Sequence, residues 1–102
     1  MLSKALAREF TRSGIRSNVV APAHIRTELW DIPGGFLDAL ATKYGTDRED
    51  AVQAFLDDSG LPKGRLGTPV DVSDAILFLA SEQAVFISGH CLDVDGGVLP
   101  TI

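Results

Sequence analysis

Asn18-Val19-Val20-Ala21-Pro22-Ala23-His24-Ile25-Arg26-Thr27 holds a continuous apolar run that ends on a proline. Residues 15–21 are rich in β-branched side chains, and Val19-Val20-Ala21 shows no polar alternation. That pattern predicts a strand buried on both faces, as in a parallel sheet covered by helices on each side, closing on Pro22.

Upstream, Leu2, Leu6 and Phe10 recur at helical spacing with Ala5 beside them, while Lys4, Arg8 and Arg12 face elsewhere. This predicts an amphipathic helix over residues 2–13, stopped by Gly14. No Ser, Thr, Asp or Asn precedes Leu2 to cap its first turn, so it reads as the second half of a longer helix. Downstream, residues 25–67 lose regular period: Trp30, Ile32, Phe36, Leu37 and Leu40 are apolar, but Pro33-Gly34-Gly35 interrupts them. A lid or insertion is expected there, with Thr46 and Glu49 as a capping box opening a helix through about Leu56 whose face is Ala51, Val52 and Phe55. Thr68-Pro69 then starts a helix running to about Ala80, with Val72, Ala75, Ile76 and Leu79 inward. Cys91-Leu92-Asp93-Val94 reads as a short strand stopped by Gly96-Gly97. Two strands joined through helices should lie parallel with a right-handed crossover, giving part of an α/β layer system. Two parallel strands by themselves lack neighbours for their edges, so the pattern points to further strands outside these residues.

Composition narrows the function classes. The 102 residues carry 9 Lys+Arg against 14 Asp+Glu, a net charge of -5 with the basic residues scattered, which leaves no footprint for nucleic acid or an anionic membrane. The most apolar stretch, residues 75–87, contains Glu82 and Gln83 and is too short to span a bilayer. A single cysteine, Cys91, excludes an internal disulfide or thiolate zinc cluster and fits a cytoplasmic setting. The length suits one domain.

Residues 18–27, quoted above, closely follow the pattern Asn-x-Val-x-Pro-Gly-x-Ile-x-Thr. Gly64-Arg65-Leu66-Gly67-Thr68-Pro69, Phe78-Leu79-Ala80-Ser81, Ile87-Ser88-Gly89-His90 and Val94-Asp95-Gly96-Gly97 follow in order. As a set, these resemble the C-terminal part of the short-chain dehydrogenase/reductase family. The resemblance implies an α/β fold, with residues 1–102 the C-terminal portion of a single NAD(P)-binding Rossmann domain, a doubly wound parallel sheet, and residues 28–60 its substrate loop or lid. It also implies hydride transfer between NAD or NADP and a small-molecule alcohol or carbonyl substrate, and a homo-oligomer. In the family a tyrosine acts as acid/base, helped by a lysine four residues on and by a serine. Here Tyr44 is the only tyrosine and Arg48 stands four residues after it, so no catalytic residue is assigned; no glycine-rich phosphate turn follows a strand either. What carries over is the nicotinamide side of the cofactor site: Pro22 fixing the turn, Ala23 in the place of the usual glycine, Ile25 offering main-chain groups to the carboxamide, and Thr27 its hydroxyl. Ala23 is harmless in a β or right-handed conformation and obstructive if φ must be positive.

Plainer roles compete for the remaining residues. Trp30 and Phe36 suit core packing better than substrate contact. His24 and His90, without a third ligand, make a poor zinc site, and Asp93 with Asp95 lacks the rest of a calcium loop, so no metal is expected. Cys91 reads as a small apolar strand residue. The expected function is therefore that of a truncated oxidoreductase-family chain, whether shortened naturally, started at an internal methionine or one part of a split enzyme, and inactive alone. The rival is a non-catalytic interaction module that pairs with full-length relatives through residues 69–94.

Overall fold

Why the apolar run at residues 19–21 pairs where it does follows from the residues just before it. In the computed structural model, which describes residues 1–98, the first strand β1 spans Val19–Pro22 and pairs in parallel with β2, Cys91–Val94, in the register Val19↔Cys91 to Pro22↔Val94. Residues 15–18, expected in the strand, lie outside it, because their polar groups are spent on the loop that leads into β2. Arg16 donates to the carbonyls of Ile87 at 3.1 Å and Ser81 at 3.3 Å, and Asn18 donates Nδ2 to the Ile87 carbonyl at 3.1 Å. Asn18 Oδ1 accepts from the His90 amide at 3.0 Å, and Val19 donates to the His90 carbonyl at 2.8 Å. Among the described residues the sheet has these two strands, so β1 is half-buried where the sequence pattern predicts burial on both faces.

The chain divides into two compact units. The first comprises Met1–Pro22 and Val70–Val94 and holds the sheet with α1, Leu2–Phe10, and most of α5, Pro69–Ala80. Both helices match the sequence expectation in position, α1 continuing as a 3₁₀ turn through Ser13 to a left-handed Gly14. Their faces do not match fully. In α1 the small residues Ser3 and Ala7 are buried, while Leu2, Leu6 and Phe10 are exposed. Gly89 explains this: a Cβ there would sit 3.2 Å from the Ala7 Cβ, so the helix approaches the loop before β2 through its smallest side chains, and Ser3 Oγ meets Ser17 Oγ at 3.0 Å. In α5 Leu79 is buried and Val72 and Ala75 are half-buried, but Ile76 is exposed.

The second unit, Ala23–Pro69 with the residues from Asp95 on, contains three helices: α2 Glu28–Asp31, α3 Phe36–Tyr44 and α4 Arg48–Ser59. Its core is Trp30, Leu37, Leu40, Ala51 and Leu66, with Val52, Phe55 and Leu56 packed against it. α3 follows the Pro33-Gly34-Gly35 break that makes this region look loose in sequence. The break serves a close approach, since a Cβ on Gly35 would lie 2.7 Å from the Leu29 carbonyl oxygen, and Asp38 reaches back to accept from the Gly34 amide at 2.7 Å. α4 is capped by Asp47, whose carboxylate accepts from the Asp50 amide at 2.9 Å, and not by Thr46, whose hydroxyl donates to the Asp47 carbonyl. A carboxylate is the better cap because it satisfies an orphan amide and also meets the positive end of the helix dipole.

Candidate functional site

The segment leaving β1 carries the four residues singled out in the sequence. Pro22 is the last residue of β1 and is exposed, so the turn lies beyond it. Ala23 is half-buried and has negative φ; the one non-glycine residue with positive φ among those described is His24, at 58°. The missing glycine therefore costs no backbone strain at position 23, and the left-handed step is taken one residue later. His24 is held there by an edge-to-face contact of its ring with Phe55 of α4, centroids 5.2 Å apart at 82°.

Ile25 forms an isolated parallel bridge with Gly67. The bridge consists of the Gly67 amide donating to the His24 carbonyl at 3.0 Å and the Arg26 amide donating to the Gly67 carbonyl at 2.9 Å. In a parallel pairing a residue flanked in this way turns its own N–H and C=O to the opposite side. Half-buried Ile25 therefore offers one donor and one acceptor with no partner among the described residues, and such groups call for one. Thr27 sits at the N-cap position of α2 in extended conformation, exposed, with its hydroxyl making no capping bond. The Trp30 amide takes the Thr27 carbonyl instead, at 3.0 Å. Ile25 and Thr27 thus place an amide, a carbonyl and a hydroxyl along one short segment, which suits a planar carboxamide having both a donor and an acceptor end.

Gly67, part of Gly64-Arg65-Leu66-Gly67, is the residue that sequence reasoning did not assign to this site. Its pairing with Ile25 is long-range, and the one signal in the sequence was that the motif occurs at all. Around the segment, Arg26 donates to Asp31 Oδ1 at 2.5 Å, and Arg48 reaches the Asp31 carbonyl at 2.6 Å and Asp38 Oδ1 at 3.1 Å. The Arg26 hydrogen bond, aided by the charges of Arg26 and Arg48, holds the Asp31 carboxyl below the usual carboxylate range. Trp30 is buried against Phe36 at 4.6 Å and Phe55 at 5.8 Å, so it is core; Phe36 is exposed on the outer side of the same cluster. An open groove of about 520 Å³ lies between Arg26, Asp31, Leu37, Arg48, Glu49 and Val52. Among the described residues no group of His, Cys, Asp or Glu could hold a metal ion, and no helix is long and apolar enough to cross a membrane.

Comparison with known proteins gives consistent matches. Residues 1–99 match a family model described as enoyl-(acyl carrier protein) reductase. The chain is 43% identical over 96 residues to a 4-formylbenzenesulfonate dehydrogenase of Comamonas testosteroni, covering 94% of this chain and 34% of that protein. It is 38% identical over 96 residues to a 3-oxoacyl-[acyl-carrier-protein] reductase of Chlamydia muridarum, covering 94% and 32%. The crystal structure of L-sorbose reductase from Gluconobacter frateurii, complexed with NADPH and L-sorbose, superposes with a TM-score of 0.82 at 31% identity, over 100% of this chain and 37% of that one. The chain spans about a third of the length of the curated relatives it matches.

Proposed function

The chain belongs to the short-chain dehydrogenase/reductase family, a family of oxidoreductases with the Rossmann fold, and from that premise we propose that its residues 22–27 form the nicotinamide side of an NAD(P) site. The observation that carries this is Ile25, whose own amide and carbonyl are turned away from Gly67 and have no partner among the described residues. Bound there, the nicotinamide would supply the hydride acceptor or donor for a small-molecule alcohol or carbonyl. The chain's own contribution would be to orient it: the Ile25 carbonyl would accept from the carboxamide NH₂, the Ile25 amide or the Thr27 hydroxyl would donate to its oxygen, and Ala23 would stand beside it without backbone strain. Residues 28–60 form the lid over the substrate side, and residues 1–102 act as the C-terminal portion of one Rossmann domain.

Neither a Tyr-x-x-x-Lys nor a glycine-rich phosphate turn occurs in these 102 residues. We therefore assign the proton-transfer step to residues outside them and expect no NAD(P)-dependent turnover of alcohols or ketones by this chain alone, since loss of the acid/base group forfeits roughly 10²–10⁴-fold. Turnover at ordinary enzymatic rates would overturn this. Binding is the direct test. Reduced nicotinamide mononucleotide, which lacks the adenine half, should shift the amide resonances of Ile25 and Thr27 saturably in the ¹⁵N-labelled chain; shifts elsewhere only, or none, would remove the site. With one unpaired cysteine, we place the protein in the cytoplasm.

A second reading, a non-catalytic module that pairs with full-length relatives, is favoured by one observation: Leu77 of α5 is 67% exposed and Phe86 wholly so. Co-elution with a full-length relative would support it.

A further inference from the structure

Gly67 stands opposite Ile25 on the side away from the proposed cofactor. It makes both hydrogen bonds of the bridge, donating to the His24 carbonyl at 3.0 Å and accepting from the Arg26 amide at 2.9 Å. These bonds fix the peptide planes before and after Ile25, and fixing both planes determines where the Ile25 amide and carbonyl point. Gly67 is itself anchored. Leu66, its neighbour, is 8% exposed in the core with Trp30, Leu37, Leu40 and Ala51, and the Arg65 guanidinium closes back on the Leu66 carbonyl at 2.9 Å.

The segment it braces carries a conformational cost. His24 holds φ 58°, a region that L-residues with a side chain enter at about 1–2 kcal/mol. Without an outside hold, the peptide between His24 and Ile25 would relax and turn the donor and acceptor of Ile25 away. The hydrogen bond from Gly67 lands on the carbonyl of that strained residue.

We propose that Gly67 is a positioning residue for the nicotinamide strip: it acts through the peptide planes flanking Ile25 to hold Ile25's amide and carbonyl toward the cofactor. This rests on the reading of residues 22–27 given above. The residue needed at position 67 is any that keeps an amide N–H, so the prediction separates the hydrogen bond from side-chain size.

The full ¹⁵N-labelled chain is titrated with reduced nicotinamide mononucleotide, reading the Ile25 and Thr27 amides, while Trp30 emission and the melting temperature report the core separately. Gly67→Ala keeps the N–H and should bind as the parent does. Gly67→Pro removes the N–H and should bind roughly three- to tenfold more weakly, the size of one net hydrogen bond, with Trp30 emission unchanged. Should the proline variant lose the Trp30 signal, the backbone ester at position 67, made by peptide ligation, deletes the same donor without a ring and decides the matter. Equal affinity of parent and donor-deleted chain would overturn the proposal while leaving the cofactor site standing. Failure of the parent to shift at Ile25 and Thr27 would instead take down the cofactor site, and the positioning role with it.

Discussion

Tyr44 is the only tyrosine of the chain, and its hydroxyl donates to Asp58 Oδ2 at 2.7 Å. That hydrogen bond, with the Asp58 charge behind it, pushes the phenol above its usual value near 10. A group raised in the folded state gives stability that is present below the unfolded pKa and lost as pH climbs through the folded one, so the pair supports the fold at neutral pH and weakens above about 10. Absorbance at 295 nm, which a single tyrosine makes unambiguous, should titrate higher in the native chain than in urea, and Asp58→Asn should close the gap; identical curves would refute the contact. Asp31 works with the opposite sign. Its lowered carboxyl pKa means that its contribution is present above about 3.8 and disappears as pH falls through the folded value. His24 gives a third residue-scale expectation. Gly and Ala both delete the ring that meets Phe55, but only Gly removes the left-handed penalty, so His24→Gly should be more stable than His24→Ala by about 1 kcal/mol. At this scale the sequence is least readable. Motif position points to Ala23 as the place where a glycine is missed, whereas the positive φ sits at His24, where the Gly67 hydrogen bond and the Phe55 ring contact, both distant in sequence, hold it.

Elements with strong local chemistry are the readable ones. The Pro69–Ala80 helix begins where Thr68-Pro69 predicts, and α1 ends near Gly14 as its spacing implies. α4 shows where local rules compete: two adjacent residues can cap, and Asp47 wins over Thr46 while the helix runs on to Ser59. The consequence is measurable. Asp47→Ala should cost about 0.5–2 kcal/mol, seen as a lowered urea midpoint, while Thr46→Ala stays within about 0.5 kcal/mol; the reverse order would restore the Thr46 capping box. α2 and α3 are the helices hidden from sequence reasoning, α3 because its start depends on the close contact of Gly35 with the Leu29 carbonyl, which no periodicity reports. The α1 stripe fails for a related reason. Leu2, Leu6 and Phe10 define a correct helical face, but Gly89 and Ser17 select Ser3 and Ala7 as the side that packs.

For the whole molecule, α/β class and the parallel pairing of two strands follow from the order of elements, while the way each apolar face is used does not. Leu2 is 74% exposed and Val85 68%, and Ile76 also faces outward. β1 pairs on one side only among the described residues, and no lysine blunts its Val19-Val20 edge. Large apolar side chains exposed in this number exceed what a soluble monomer ordinarily carries, and each would gain roughly 1.5–3 kcal/mol on full burial, so association lowers the free energy even after losses in translational freedom. The net charge of -5 is too small to keep copies apart at physiological salt, where screening is felt within about 8 Å. The purified chain should therefore sediment above its monomer mass of 10.9 kDa, as a soluble oligomer. Substituting Leu77→Lys together with Phe86→Ser removes two of the exposed groups without touching the cores around Leu79 or Leu40, and should shift the distribution toward monomer. A parent chain that sediments as a single monomeric species with a sharp melt would mean that these faces are satisfied within one copy.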